Sequence, residues 1–311
     1  MNRLGSASAS RADALVATVG EALGAATDAL RAAGVETPRL DAEILLAAAS
    51  GRDRAALAAA PEGGIGAATA RSFGAMVRRR VAREPVAYIL GRKGFRRIEL
   101  GCDERALIPR PESELLVEVA LELGPASALD VGTGSGALAL ALADELPNCA
   151  LVAVDSSAAA LALARENAAA LGFEGRVAFE HGSLPMRQRE FDLVVANLPY
   201  VRDDEWPHLQ PEITRWEPRE ALTSGADGLA AIGALLAALG PGGPLQADAV
   251  ALEIGAEQGD AVAALTGAAG FADVVVRRDL AGLDRAVVGR RTSGGWPVAG
   301  RSGPESASRG R

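Results

Sequence analysis

Cysteine is nearly missing from this sequence: Cys102 and Cys149 serve 311 residues, and the two histidines, His181 and His208, share no short spacing with them. That excludes a disulfide framework and a structural zinc site, which need close-set pairs or ligands, and no metal is expected. Long apolar runs are missing too. Stretches such as Ala137 to Ala143 fall far short of the roughly 20 residues of a membrane-spanning helix, and Met1 to Ser10 lacks the apolar segment of a secretory signal. The reading is a protein without a membrane anchor, in the cytoplasm. Lysine occurs once, as Lys93, and the formal net charge is −8. Stable binding to bulk nucleic acid, which needs a concentrated basic surface, is therefore not expected. One local basic run is present, Arg78, Arg79, Arg80 and Arg83 followed by Arg92, Lys93, Arg96 and Arg97. It reads equally as a solvated helix face with a hairpin and as a partner-binding surface.

What the chain does have is 49% hydrophobic residues, enough for a sizeable core and about two domains at ~150 residues each. From Arg11 to Arg83 apolar residues such as Leu40, Ile44, Leu45 and Leu57 keep helical spacing, with no alternating strand, so a small helical bundle is expected. Thr37-Pro38 is a helix start, the threonine oxygen capping free amides and proline losing nothing in the first turn. Gly34 and Gly51 mark helix ends. Glu84-Pro85 disfavours continuation, and Tyr88 to Leu100, with Gly91 and Gly94, reads as a hairpin linking two domains. Beyond Leu107 short β-type runs alternate with helical ones, the pattern of a parallel sheet with crossover helices. The expected strands are Ala128–Val131, Leu151–Asp155, Val177–Glu180, Leu193–Ala196, Ala249–Ile254, Val274–Arg277 and Ala286–Val288, with helices at Leu138–Glu145 and Ala158–Leu171. From Arg290 hydrophobic periodicity stops, and a disordered tail is expected.

Asp130-Val131-Gly132-Thr133-Gly134-Ser135-Gly136 follows a strand and opens an alanine-rich helix, where glycines let backbone approach a ligand and the helix start offers unpaired amides. By itself the loop is ambiguous, because Gly132, Gly134 and Ala137 also satisfy a relaxed dinucleotide fingerprint. Asp155, ending the next strand, suits ribose hydroxyls in either case. The discriminating feature is Asn197-Leu198-Pro199-Tyr200 at the end of the fourth strand, where ligands of open α/β sheets sit. The Asn197 side-chain oxygen and the Leu198 carbonyl can each accept one N–H of a planar amide or amine, Tyr200 supplies an aromatic wall, and Pro199 stiffens the turn. An oxidoreductase gives this tetrapeptide no task.

At these residues the sequence resembles the protein-(glutamine-N5) methyltransferases of the HemK/PrmC type, which modify peptide chain release factors. The resemblance covers nearly all of residues 11 to 290. It extends through Thr37-Pro38-Arg39-Leu40-Asp41-Ala42-Glu43, Pro85 to Gly91 with Phe95, Glu217-Pro218 to Gly228-Leu229, and Leu252-Glu253-Ile254-Gly255. The most telling segment is the arm Leu107-Ile108-Pro109-Arg110-Pro111-Glu112-Ser113-Glu114, which methyltransferases in general do not share. The resemblance implies an α/β protein: a Rossmann-like class I methyltransferase domain, with a seven-stranded mostly parallel sheet, preceded by a small N-terminal helical bundle. The implied division is a disordered N-terminus (1–10), a helical substrate-binding domain (11–84), a hairpin linker (85–105), the methyltransferase domain (106–290) and a disordered tail (291–311). The implied donor is S-adenosyl-L-methionine, held by Asp130, Gly132, Thr133, Gly134, Ser135, Gly136, Asp155 and Asn197, with Leu184 near the adenine. Asn197, Leu198, Pro199 and Tyr200 would hold the glutamine of a Gly-Gly-Gln tip and carry catalysis, supported by Arg110 and Glu112. The partner is a release factor, and the chain is taken as a monomer.

Three departures accompany the resemblance. Leu198 stands where the family usually has proline, and Asn-Leu-Pro-Tyr also resembles the ribosomal RNA adenine dimethyltransferases, which keeps adenine-N6 methylation of RNA or DNA open as the alternative. Gly182-Ser183 replaces a frequent Gly-Asp near the adenine. Pro244 to Asp248 reads as a short insertion that lengthens a loop before the Ala249 strand.

Overall fold

Apolar residues spaced three and four apart in the N-terminal third need one shared stripe, and helices give it to them. The computed structural model describes residues 15–185 and 190–291; of the segments expected to be disordered, 1–10 and 291–311, only Arg291 is described, and it is tied to Asp248 and Ala247 by hydrogen bonds, while the rest lie outside the described residues. After β1 (Leu15–Thr18), helix α1 (Val19–Ala32) buries Val19, Leu23, Ala26 and Leu30 along one face. Its start is a reciprocal cap, Thr18 Oγ1 accepting from the Glu21 amide at 3.1 Å while the Glu21 carboxylate accepts from the Thr18 amide at 2.8 Å. Helices α2 (Pro38–Ser50), α3 (Arg54–Ala59), α4 (Ala67–Val81) and α5 (Val86–Leu90) add Leu45, Leu46, Leu57, Phe73 and Ile89 to the same core.

Three expectations change here. The stretch does contain a strand pairing, β1 with β2 (Gly64–Gly66), which sequence pattern misses because a three-residue strand with two glycines shows no alternation. Thr37 does not cap α2. Its hydroxyl donates instead to Asp41 Oδ1 at 2.8 Å, leaving Pro38 alone to mark the start. The hairpin begins at Arg92, not at Tyr88, because Val86 to Leu90 completes a short helix that ends on left-handed Gly91.

The described residues up to Gly91 form one compact unit together with Gln210–Trp216. Inside it lies a buried charge network. Arg80 Nε donates to Asp41 Oδ2 at 2.7 Å, and the Arg80 and Arg83 guanidiniums both grip Glu212 at 2.5–2.7 Å. Burial pushes the Glu212 carboxyl up, but the Arg83 and Arg80 hydrogen bonds outweigh it and leave the carboxyl below its ordinary value. Removing one partner of such a group strands a charge away from water. Arg80→Met should therefore destabilise this unit by about 3 kcal/mol, read as a lower urea midpoint by far-ultraviolet circular dichroism; an unchanged midpoint refutes the assignment.

The second unit holds the described residues of 92–209 and of 217–291. Hairpin β3 (Arg92–Phe95) and β4 (Ile98–Gly101) opens it, and helix α6 (Glu114–Leu123) leads to β5 (Ser127–Val131). Then come α7 (Ala137–Glu145), β6 (Ala150–Asp155), α8 (Ala158–Ala170), β7 (Val177–His181) and β8 (Glu190–Ala196). The chain next contributes α9 (Pro211–Trp216) to the first unit. It ends with α10 (Ala230–Leu239), β9 (Gln246–Glu253), α11 (Gly259–Ala268), β10 (Asp273–Arg278) and β11 (Asp284–Arg290).

The seven-stranded, mostly parallel sheet has the order β10-β11-β9-β8-β5-β6-β7, with only β11 running against its neighbours. Each expected strand is present. Alternate residues serve two cores: Ala128, Leu151, Leu193 and Ala249 meet α6 and α7, while Leu129, Val152, Val194 and Val250 meet α10 and α11. With both faces covered, the strands read as continuous apolar runs, which is why they were legible. The supposed insertion at Pro244 to Asp248 is mostly strand, since β9 already starts at Gln246. The basic run largely folds back on carboxylates of its own unit: Arg79 on Glu84, Arg92 on Glu99, Arg96 on Glu145 and Glu118, and Arg97 on Asp144. No helix among the described residues is long and apolar enough to cross a membrane.

Candidate active site

Strands β5, β6 and β8 lie side by side and parallel, so their carboxyl ends deliver three segments to one place. From β5 comes the glycine loop. The Gly132 and Thr133 amides donate to the Val154 carbonyl at 2.9 and 3.0 Å, and the Gly134 amide donates to Asp155 Oδ2 at 2.8 Å, folding the loop across the end of β6. Gly132 holds φ at +74°, and a Cβ there would lie 2.9 Å from Leu198 Cδ2. Open backbone at this point therefore faces the tetrapeptide that follows β8. Asp155 accepts from Gly134 and, through Oδ1, from the Ser157 amide at 2.8 Å. Each oxygen keeps a second lone pair for another donor, such as a ribose hydroxyl.

One cavity is lined by Gly132, Thr133, Gly134, Ser135, Asp155, Asn197, Leu198, Pro199 and Arg110, together with Ser113 and the arm from Arg105 to Pro109. Asp130, Gly136, Leu184, Tyr200 and Glu112 are not on its wall. Gly136 begins α7 with a left-handed φ of +85°. Leu184 packs against the core that α10 and α11 cover, and Glu112 is exposed on the turn Pro111–Ser113. The Tyr200 ring sits partly buried against that same core, and its hydroxyl donates to Glu253 Oε1 at 3.2 Å. Burial and the neighbouring Glu253 charge push that hydroxyl above its ordinary value.

Asp130 is fully buried behind the loop. Its Oδ2 accepts from Thr133 Oγ1 at 2.7 Å and from the Ala139 amide at 3.2 Å, tying the loop to the first turn of α7, while Oδ1 has no partner. Desolvation, only partly offset by these hydrogen bonds, raises its carboxyl from an ordinary 3.8 to about 7. A carboxyl raised by folding binds its proton more tightly in the native state, so its effect on stability runs opposite to the usual acid denaturation. Between pH 8 and pH 5 the wild-type protein should gain stability over Asp130→Asn, by at most ~1.4 kcal/mol per unit. Urea denaturation of both proteins at the two pH values checks this; a difference that does not change with pH refutes it.

Asn197, at the end of β8, donates through Nδ2 to Ser113 Oγ at 2.9 Å, and Ser113 Oγ donates to Glu253 Oε2 at 2.5 Å. The Glu253 carboxyl, one residue from the end of the apolar run in β9, is raised by burial, against which the Ser113 and Tyr200 hydroxyls act. Buried Glu217 accepts from the Ile108 amide at 3.0 Å and pairs with the Arg110 guanidinium, fixing the arm along the cavity. Ser113, Glu217 and Glu253 are the site residues that sequence reasoning did not single out. All three lie in segments that carry the family resemblance, but their meeting joins positions 140 apart in the case of Ser113 and Glu253.

A sheet of this order, with a glycine loop and Asn197-Leu198-Pro199 on one cavity, defines the methyltransferase class, and the Methyltransferase domain family matches residues 128–217. The PrmC N-terminal domain family matches residues 21–91. Release factor glutamine methyltransferase of Caulobacter vibrioides is 40% identical over 282 residues, 88% of this chain and 96% of that protein. The protein of the same name from Xylella fastidiosa (strain Temecula1) is 44% identical over 271 residues, 84% and 96% of the two chains. The chain belongs to the release factor glutamine methyltransferase family. A solved structure, the hMettl16 catalytic domain in complex with MAT2A 3'UTR hairpin 1, covers 70% of this chain and 81% of that one at TM-score 0.50 and 13% identity, a likeness of fold alone.

Proposed function

We propose that this protein transfers a methyl group from S-adenosylmethionine to the side-chain nitrogen (N5) of the glutamine in the Gly-Gly-Gln motif of peptide chain release factors, acting as a monomer in the cytoplasm. The observation that carries the reading is Asn197 on the cavity wall beside the glycine loop, with its own NH₂ already given to Ser113. What remains to face a substrate is a carbonyl oxygen, an acceptor for one amide N–H. The Leu198 carbonyl takes the second, with Pro199 stiffening the turn and Tyr200 supporting it from behind. The cradle fits a donor: the bare backbone of Gly132 lines the cavity with no side chain between loop and ligand, and Asp155 retains lone pairs for ribose hydroxyls. Gly132 to Gly136 and Asp155 hold it, Asp130 shapes the loop, and Leu184 borders the adenine. When bound, the donor supplies an electrophilic methyl on a sulfonium sulfur.

An amide nitrogen is a weak nucleophile because its lone pair is delocalised into the carbonyl. Gripping both hydrogens turns that nitrogen toward the methyl and stabilises its rehybridisation, which is catalysis by positioning and electrostatics. No general base is required, since the amide proton becomes acidic only after transfer. Arg110, held by Glu217, and Glu112 flank the incoming peptide. Residues 11–84 hold the release factor, 85–105 link, and 106–290 carry out the transfer. The adenine-N6 alternative would use the same tetrapeptide, but the relatives are release factor glutamine methyltransferases and the PrmC N-terminal match points the same way.

The test is incubation with labelled donor and purified release factor, with the modified residue located by mass spectrometry. Label should appear on the Gly-Gly-Gln glutamine and vanish when that glutamine is replaced. Label that persists after the replacement, or that ribonuclease removes, overturns the proposal.

A further inference from the structure

Asn197 can offer a substrate either a carbonyl oxygen or an NH₂ group, and only one of these accepts an amide hydrogen. The two faces have nearly the same shape, so packing alone cannot choose between them. The choice is made two residues away. With Glu253 ionised, Ser113 Oγ places its single proton on Oε2 at 2.5 Å; toward Asn197 at 2.9 Å it can then only accept. The second Glu253 oxygen is engaged by the Tyr200 hydroxyl at 3.2 Å, so the carboxylate spans both ends of the Asn-Leu-Pro-Tyr segment. Glu253 and Ser113 are nearly inaccessible, at 1% and 4% exposure, which removes water as a competing partner.

We infer that Glu253, acting through Ser113, is a positioning residue that locks the Asn197 carboxamide with its oxygen toward the cavity. The inference rests on the reading of Asn197 as the group that holds the substrate amide. Reversing the carboxamide would set its oxygen against the Ser113 oxygen with no proton between them and would turn an N–H toward the substrate's own N–H. Neither Ser113 nor Glu253 needs to touch donor or substrate. Their effect reaches the reaction only through the orientation of one side chain, in contrast to Asp155 and Gly132, which shape the donor cradle.

The experiment combines kinetics with a readout that does not depend on the substrate. In wild-type protein labelled with ¹⁵N-asparagine, the Asn197 side-chain NH₂ signal, assigned by its loss in Asn197→Ala, should show slow hydrogen exchange. In Ser113→Ala it should exchange at least tenfold faster. Single-turnover methyl transfer to release factor by Ser113→Ala should fall about 100-fold, the usual scale for a misdirected catalytic group, with donor Kd within twofold of wild type. Added to Asn197→Ala, the Ser113→Ala change should cost nothing further, because its only route to the reaction is gone. Glu253→Gln, close to isosteric, gives a second variant should the first misfold, and about a tenfold slower transfer with unchanged donor Kd is expected there. Wild-type exchange rates in Ser113→Ala, full activity in it or in Glu253→Gln, or additive losses in the double variant each overturn the inference. Absence of transfer by the wild-type protein itself counts against the proposed function instead, and the exchange measurement still decides the orientation.

Discussion

Asn197→Ala should lower kcat for release factor methylation by about 10³-fold, the loss seen when a preorganised polar contact to a reacting group is removed, while S-adenosylmethionine still binds with nearly wild-type Kd. The asymmetry follows from where the residue sits. Its side chain is tied to Ser113 on one side and lines the cavity on the other, whereas the glycine loop and Asp155 are held by contacts that do not involve it. An interaction made chiefly as the amide nitrogen rehybridises appears in kcat and not in ground-state affinity. Calorimetric titration of the donor, set beside rapid-quench transfer kinetics, separates the two. If transfer were unchanged, the tetrapeptide would not be the amide-holding element. If donor affinity collapsed instead, Asn197 would belong to the donor cradle alone.

Gly132→Val should have the opposite signature, with donor binding weakened by about 100-fold or more and transfer lost with it. Two costs add at this position. A β-branched residue at a φ of +74° is a genuine backbone outlier, worth roughly 1–3 kcal/mol, and its side chain starts 2.9 Å from Leu198 Cδ2. At about 1.4 kcal/mol for each tenfold change in affinity, backbone strain alone approaches the expected loss. Calorimetry with S-adenosylmethionine measures it, and a variant that bound the donor as tightly as wild type would show that the loop is not the cradle. Circular dichroism guards against simple misfolding, because the loop amides also donate to Val154 and Asp155.

What could be read from the chain followed the reach of each physical signal. Strands covered on both faces announce themselves as apolar runs, so all seven strands of the large sheet were legible within a few residues, and β9 was misjudged only at its polar first turn, Gln246 to Asp248. The β1–β2 pairing was not legible, because three residues with two glycines carry no pattern. Local chemistry at Thr37 was misread for a related reason. An oxygen that could cap a helix was claimed by Asp41, a partner drawn into place by Arg80, 39 positions away from it. At the site, the glycine loop and Asn197 could be placed from composition and position along the sheet, and both line one cavity. The support beneath them did not, since Ser113, Glu217 and Glu253 are a common serine and two common acids until the fold brings them under the arm and the tetrapeptide. Leu198, a departure from the usual proline, also gained a meaning from the coordinates that its identity did not carry.

That leucine leans its methyl group into the space above Gly132, against a loop position that itself has no room for a side chain. On the proposed roles, the pocket for the giver and the grip on the receiver have a party wall, and neither occupant can be rehoused without disturbing the other. A mutation at 198 chosen to alter which amide is accepted will register first as a change in how the methyl source is seated. Efforts to retune this protein toward other acceptors would do well to redesign positions 132 and 198 as a pair.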